Sequence, residues 1–219
     1  LMAMAEVGAA VAPLIGGVYV ASEELVNDAG QDYATAFSAL AVGQPGQVTA
    51  AQIAAGMVQS YGVQYAGDSW QCDTLSATTS SGYAGLNAAI KSFVDAAAAL
   101  RCSDEPSFRD LGSFMAQLVA TPSLPPAVTA AATGVTAALA SVVLSKTADQ
   151  RASSGLSIFL PRFADDWYLG SYATDAAAFC AATGWDGFAR WLATGTRSAI
   201  TGANAARPEP RWTAAGRSV

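Results

Sequence analysis

The sequence contains no histidine. That removes the commonest general base and the commonest metal ligand together, so acid–base chemistry at neutral pH needs groups from elsewhere. Charge is scarce as well: 13% of the 219 residues are charged, and 11 Lys and Arg against 17 Asp and Glu leave a net charge of −6. The basic residues are scattered rather than striped along a face, so no field gathers phosphates and nucleic acid is a poor partner. Three cysteines, Cys72, Cys102 and Cys180, form no CxxC and no metal-ligand spacing, which leaves zinc unsupported. Long apolar runs are missing too. Val128 to Leu144 is mostly Ala, Thr, Val and Gly and falls short of the ~20 strongly apolar residues a bilayer demands, so it reads as a buried helix and not a membrane span.

What is present is apolar and alanine-rich. Hydrophobic residues make up 52% of the chain, which suits a compact, helix-rich globule of one domain's size and argues against disorder. Leu1 to Ile15 is almost continuously apolar and stops at Gly16-Gly17, the pattern of a packed helix with a glycine stop. The same N-terminus is not a signal peptide: Leu1 to Ala5 carries no basic segment and Glu6 interrupts the run. A start directly inside an amphipathic helix suggests a truncated reading frame.

Val18-Tyr19-Val20-Ala21 is a β-branched and aromatic run, expected as a strand buried on both faces of a parallel sheet. Glu23, Glu24, Asp28 and Asp32 then crowd the stretch up to Tyr33, around Asn27 and Gly30, and read as an irregular acidic loop. Exits of parallel strands are where α/β sheets place their sites, so this loop is the richest functional candidate. Helical spacing follows over Tyr33 to Leu40 and over Thr49 to Tyr65, the latter with Thr49 as cap. Cys72 to Thr79 is expected as an outer strand. Leu86, Ile90, Phe93, Val94 and Ala97 share one face of the next helix, and Leu111, Phe114, Met115 and Leu118 share a face of another.

Gly155 to Pro161 is a second buried-strand signal stopped by proline, and Tyr168 to Thr183 and Asp186 to Thr194 read as closing helices with Trp185 and Trp191 as anchors. Residues 201–219 become a Pro, Arg, Ala and Gly tail or linker, leaving 1–200 as the folded unit. Two central strands among so many helices are too little sheet for a self-sufficient α/β domain. The missing strands are expected upstream.

Five segments in order resemble the clostripain (C11-type) family of cysteine peptidases: Leu1-Met2-Ala3-Met4-Ala5-Glu6-Val7, Val20-Ala21-Ser22-Glu23-Glu24, Thr74-Leu75-Ser76-Ala77, Asp110-Leu111-Gly112-Ser113-Phe114, and Gly155-Leu156-Ser157-Ile158-Phe159-Leu160-Pro161. No single segment decides; the ordered set, from Leu1 to about Leu192, carries the resemblance. It implies an α/β fold, the C-terminal part of a helix-rich, caspase-like three-layer α/β/α sandwich. In that family the nucleophile sits in an Asp-x-Cys motif followed by Leu-Met and a helix leading to a glutamate. The resemblance therefore puts the nucleophile just before Leu1 and the catalytic histidine further upstream, with no catalytic residue in this chain. None of Cys72, Cys102 and Cys180 replaces it, because no histidine exists to activate a thiol.

The family cleaves after arginine or lysine and holds that side chain with a carboxylate in its S1 pocket. By resemblance Asp28 is the first choice for that acid, Asp32 the second, and Ser22 a residue lining the cleft; a carboxylate in a partly desolvated pocket can take a guanidinium bidentately. Of Glu23 and Glu24, the expectation is that one bonds loop backbone and the other is solvated. The implied protein is a cysteine endopeptidase acting on basic peptides, of which this chain, inactive alone, supplies the S1 wall; the alternative is a catalytically dead scaffold serving as a surface or interaction module. The chemistry needs no cofactor. The resemblance carries an implication of calcium in parts of the family, without ligands, and of a secreted, periplasmic or cell-surface location. Cys72 and Cys102 lie in polar, loop-like stretches where a disulfide is open to an exported protein, and Cys180 reads as a small buried apolar residue.

Overall fold

The computed structural model describes residues 3–27, 29–38, 40, 46–66, 74–97, 108–122, 124–147, 153–161 and 166–194. Cys72, Cys102, Asp28 and the 201–219 tail lie outside the described residues, and so do the expectations attached to them.

The chain enters as an extended pair, Ala3 and Met4, with Met4 bridged in parallel to Ser157. Helix α1 (Ala5–Val11) starts from it without a side-chain cap and runs into a 3-10 turn, Ala12–Leu14, where Pro13 occupies an early position that needs no N–H donor. Strand β1 (Val18–Ala21) follows, then α2 (Tyr33–Ala36) and α3 (Ala50–Gln64). Thr49 caps α3 in a capping box with Gln52, as its sequence position predicts. Next come β2 (Ser76–Thr79) and α4 (Tyr83–Ala96), then β3 (Phe108–Asp110) and α5 (Leu111–Val119). The rest is α6 (Pro126–Val142), β4 (Val143–Lys146), β5 (Ser157–Phe159), α7 (Tyr172–Asp175), α8 (Ala177–Thr183) and α9 (Trp185–Thr194).

The sheet differs from expectation in three ways. First, β1 pairs antiparallel with β2, Val18 opposite Thr79 and Ala21 opposite Ser76, and only Ala21 is fully buried. A short β-branched run carries no information about partner direction, which is why the parallel reading fails. Second, β2 is the middle strand of the order β1-β2-β4, not an outer one. Third, the run at Val128 to Leu144 leaves the helix at Val142 and continues as β4, antiparallel to β2. The closing pattern Tyr168 to Thr183 is also split into α7 and α8. Strands β3 and β5 form a separate antiparallel pair.

Side chains alternate across the three-stranded sheet and feed two cores. Val18 and Val20 of β1, with Leu75 and Ala77, pack under Ala54, Val58 and Tyr61 of α3. Tyr19 and Ala21 face the larger core, built from Leu86, Ile90 and Phe93 of α4, Leu111, Phe114 and Met115 of α5, and Val135 and Leu139 of α6. The sheet thus has helices on both faces. Phe93 is the hub of the larger core, with ring centroids 6.2 Å from Phe114, 6.3 Å from Trp185 and 5.4 Å from Phe188. Trp185 is fully buried and donates its indole N–H to the Phe159 carbonyl at 2.7 Å, tying α9 to β5.

Helix α1 lies against Tyr83 at Gly8, where a Cβ would stand 2.0 Å from the Tyr83 hydroxyl. That hydroxyl is bonded to Thr78 Oγ1 at 2.9 Å, and burial pushes it up to about 12. Gly8→Ala must therefore displace either α1 or a buried hydrogen bond. The expected loss is about 1–3 kcal/mol, a cost typical of overpacking, measured by denaturant unfolding of the full-length protein.

Candidate functional site

Beyond the end of β1, the chain is fastened by a set of buried hydrogen bonds. The Ala3 N–H donates to the Ser22 carbonyl at 2.9 Å, and the Ala3 carbonyl accepts from the Ser157 N–H at 2.8 Å. The hydroxyls of Ser22 and Thr74 share a hydrogen bond of 2.8 Å, and Ser22 Oγ accepts from the Glu24 N–H at 3.1 Å. Glu23, 6% exposed, accepts from the Gly155 N–H at 2.7 Å, while Ser76 Oγ donates to the Gly155 carbonyl at 2.6 Å. Asp110 accepts from the Ser113 N–H as the cap of α5 and also from Ser154 Oγ at 2.7 Å. Each of the five segments quoted above contributes to this junction.

Gly155 is held at φ +102°, where a Cβ would lie 3.0 Å from Val143 Cγ1, so the junction requires glycine both for backbone angle and for space. Glu6 belongs to the same assembly. At 5% exposure its Oε1 accepts from the Phe159 N–H at 2.9 Å and from the Tyr172 hydroxyl at 2.6 Å, and its Oε2 has no hydrogen-bond partner among the described residues.

Beside this junction a cleft of about 430 Å³ opens between the end of β1 and α3. Ala21, Ser22 and Leu75 line it from the sheet and Met57 and Tyr61 from α3. The remaining wall is the acidic loop, through Glu24, Leu25, Val26, Gly30, Gln31 and Tyr33. The loop is pinned to α3 rather than irregular. The Asn27 N–H donates to the Tyr61 hydroxyl at 3.1 Å, Gln31 Nε2 to the Met57 carbonyl at 2.6 Å, and the Asp32 N–H to Gln64 Oε1 at 2.9 Å. The Tyr65 hydroxyl donates to the Gly30 carbonyl.

The named candidates fall in different places. Ser22 is buried in the cleft lining, its hydroxyl engaged with Thr74 and the Glu24 N–H. Asp32 caps α2: its carboxylate accepts from the Thr35 N–H and hydroxyl, and those bonds hold its carboxyl below the usual carboxylate range. Its side chain is exposed, and it is not among the residues lining the cleft. Asp28 lies outside the described residues, between Val26 and Gly30, which both line the cleft. Glu23 bonds the backbone of Gly155, 132 residues away and outside its own loop, and Glu24 stands in the cleft wall instead of being simply solvated. The contributions of Met57 and Tyr61 are absent from the sequence reading, although their i, i+4 spacing with Gln64 three residues on defines the face of α3 that holds the loop.

Of the three cysteines, Cys180 lies among the described residues. Burial pushes the Cys180 thiol up to about 12, with the charges of Asp186 and Glu6 adding to it, so this cysteine stays protonated at neutral pH and is no nucleophile. The sequence has no histidine, so no imidazole stands beside Cys180 to activate it.

Among solved structures, the chain is similar to a B. fragilis cysteine protease, with a TM-score of 0.58, 16% identity, and coverage of 84% of this chain and 85% of that one. It is also similar to a secreted C11 cysteine protease from Bacteroides thetaiotaomicron, solved with an irreversible peptide inhibitor, with a TM-score of 0.61 and 18% identity. The chain has the fold of the C11 cysteine proteases. The second match covers 84% of this chain and 56% of that protease, so the chain spans little more than half its length. No family model and no curated protein matches the sequence. Identity at this level speaks for the fold alone. Within the C11 fold, the polar junction of this chain is what brings sequence-distant strands together at one cleft.

Burial raises the Glu6 carboxyl above its ordinary range, while the hydrogen bonds from Tyr172 and Phe159 act in the opposite direction. A carboxyl whose folded pKa is raised contributes stability below its unfolded pKa and loses it as pH climbs through the folded value. Glu6→Gln should therefore gain stability relative to the parent as pH rises from about 4 towards 7. Paired thermal melts across that range test this; a constant difference would show that Glu6 titrates as it does in the unfolded chain.

Proposed function

We propose that this chain is the specificity-bearing part of a clostripain-type cysteine endopeptidase that cleaves after arginine or lysine. The observation that carries the reading is the fastening of Ala3 to Ser22 and Ser157, because it sets the segment entering α1 beside a residue of the cleft lining. By the resemblance, the nucleophile precedes Leu1, and it would stand at that edge, with its histidine upstream. The helices on both faces of the sheet agree with a caspase-like α/β/α sandwich.

The cleft's make-up supports a basic substrate side chain. Aliphatic and aromatic walls suit the stem of arginine or lysine, and acidic groups suit its charged end. Asp28 remains the first choice for the S1 acid, because Val26 and Gly30 on either side of it in sequence line the cleft. Asp32, spent on capping α2, is the second, and Ser22 shapes the lining. Glu24 adds a carboxylate to the wall.

In the proposed reaction, an upstream thiolate attacks the scissile carbonyl and backbone donors hold the oxyanion, while this chain orients the substrate. Collapse of the tetrahedral intermediate breaks the C–N bond and expels the amine, which takes its proton from the upstream imidazolium. Water then hydrolyses the thioester, freeing the carboxylic acid and the thiol. No cofactor enters these steps; calcium remains an implication of the resemblance without assigned ligands. We place the protein outside the cytoplasm, in line with the secreted neighbour; among the described residues no helix is long and apolar enough to cross a membrane.

The full-length protein should cleave an arginyl amide, lose that activity to a thiol alkylator, and leave an aspartyl amide intact. Asp28→Ala should lower kcat/KM on the arginyl amide by about 100-fold, the order of loss for removing one partner of a desolvated charge pair, while alkylation of the thiol proceeds unchanged. An intact protein with no amidase activity would point to the dead scaffold instead. Unchanged arginine preference in the variant would move the S1 acid elsewhere.

A further inference from the structure

The mouth of the cleft carries more apolar surface than one basic side chain needs. Leu25 is 76% exposed, Val26 50% and Tyr33 61%, and all three line the cleft. Single exposed hydrophobes are ordinary, but three large ones within nine residues, on the lip of one cavity, mark a recognition surface.

They have little freedom to withdraw. Between them the backbone is bonded at Asn27, Gly30 and Asp32 to side chains of α3 and its C-cap Tyr65, the Gln31 side chain donates to the Met57 carbonyl, and the Tyr33 ring stacks on Phe37 at a centroid separation of 6.0 Å and an interplanar angle of 9°. Backbone bonded in this way surrenders less entropy on binding than a free loop would. The cavity is also roomy. About 430 Å³ lies within the size range of pockets that enclose a small-molecule ligand, so it takes a second group beside a basic side chain.

We propose that Leu25, Val26 and Tyr33 form a second, apolar subsite, so that preferred substrates carry a bulky aliphatic or aromatic residue two positions from the basic one. This rests on the reading of the cleft as a site for basic peptides and adds a second residue to it. The occupant is a peptide side chain because the three residues line the same cleft, and in an extended peptide side chains two residues apart project to the same face, about 6.6 Å apart. Among the described residues no lysine or arginine lines the cleft, while Glu24 does, so an acidic residue there is disfavoured by like charge.

The test uses the full-length protein and peptide amides in which arginine is fixed and the residue two positions from it, on either side, is Leu, Phe, Ser or Asp. On one side, Leu and Phe should raise kcat/KM over Ser by about tenfold or more, the scale of discrimination by an apolar pocket, with Asp the poorest. Leu25→Ser and Tyr33→Ser should each bring the Leu-to-Ser ratio towards one, in variants whose thermal melts and thiol alkylation match the parent. Arginine cleavage with no preference at that position overturns the subsite and leaves the function standing. A preference that survives both substitutions overturns it too, since the discrimination then lies elsewhere. If Leu25→Ser dissolves a dimer instead of changing the ratio, the lip is a contact between copies. Absence of cleavage with every basic peptide overturns the function and the subsite together.

Discussion

The Glu23 carboxylate bonded to the Gly155 N–H is the contact on which the rest of the site depends, because it joins the end of β1 to the start of β5 across 132 residues of sequence. A buried carboxylate is expensive to desolvate and is tolerated when donors satisfy it. Gly155 supplies that donor from a left-handed backbone position, and its carbonyl is taken by Ser76 of β2. One residue away, Ser154 is held by Asp110, which also caps α5. The same few residues therefore fix β1, β2, β5 and α5 relative to one another, where apolar packing alone would leave these short strands free to slide.

That junction has a consequence for the cleft. Ser22 lies one residue before Glu23, and its carbonyl and hydroxyl bind Ala3, Thr74 and Glu24 at once. The lining is thus placed by bonds that are themselves buried, and the loop beyond it is clipped to α3 by Tyr61, Gln64 and Tyr65. Loops that position ligands usually gain precision from a rigid scaffold. Here the scaffold is the outer face of α3 on one side and the polar junction on the other. Glu6 and Tyr172 extend the same arrangement to α1 and α7, so the helix that begins beside the cleft is anchored at its first turn.

Much of the helical part is legible in the sequence. The faces Leu86–Ile90–Phe93 and Leu111–Phe114–Met115–Leu118 are buried as their spacing predicts, and Thr49 caps α3. The strands are legible as strands and not as partners: Val18 to Ala21 has the composition of a buried parallel strand and lies antiparallel to β2. Strand β4 is hidden because Val143 and Leu144 extend an apolar helix without a break in composition. The site is legible in part. The acidic loop stands out by its charge, yet Asp32 spends its carboxylate on a helix start, and Met57 and Tyr61 come to the cleft from a helix that carries no charged residue.

By itself the sequence determined the classes of chemistry open to this chain: without histidine it holds no imidazole base, and with scattered basic residues it holds no phosphate field. It also determined helices whose apolar faces repeat every three or four residues, because that periodicity is local. Only the tertiary structure decided which carboxylates are structural and which face the cleft. Glu23 and Glu24 are adjacent and chemically identical in sequence; one is buried against Gly155 and the other stands in the cleft wall because consecutive side chains at the end of an extended segment point in different directions. The partner that makes Glu23 structural lies far along the chain, and no local pattern encodes its arrival.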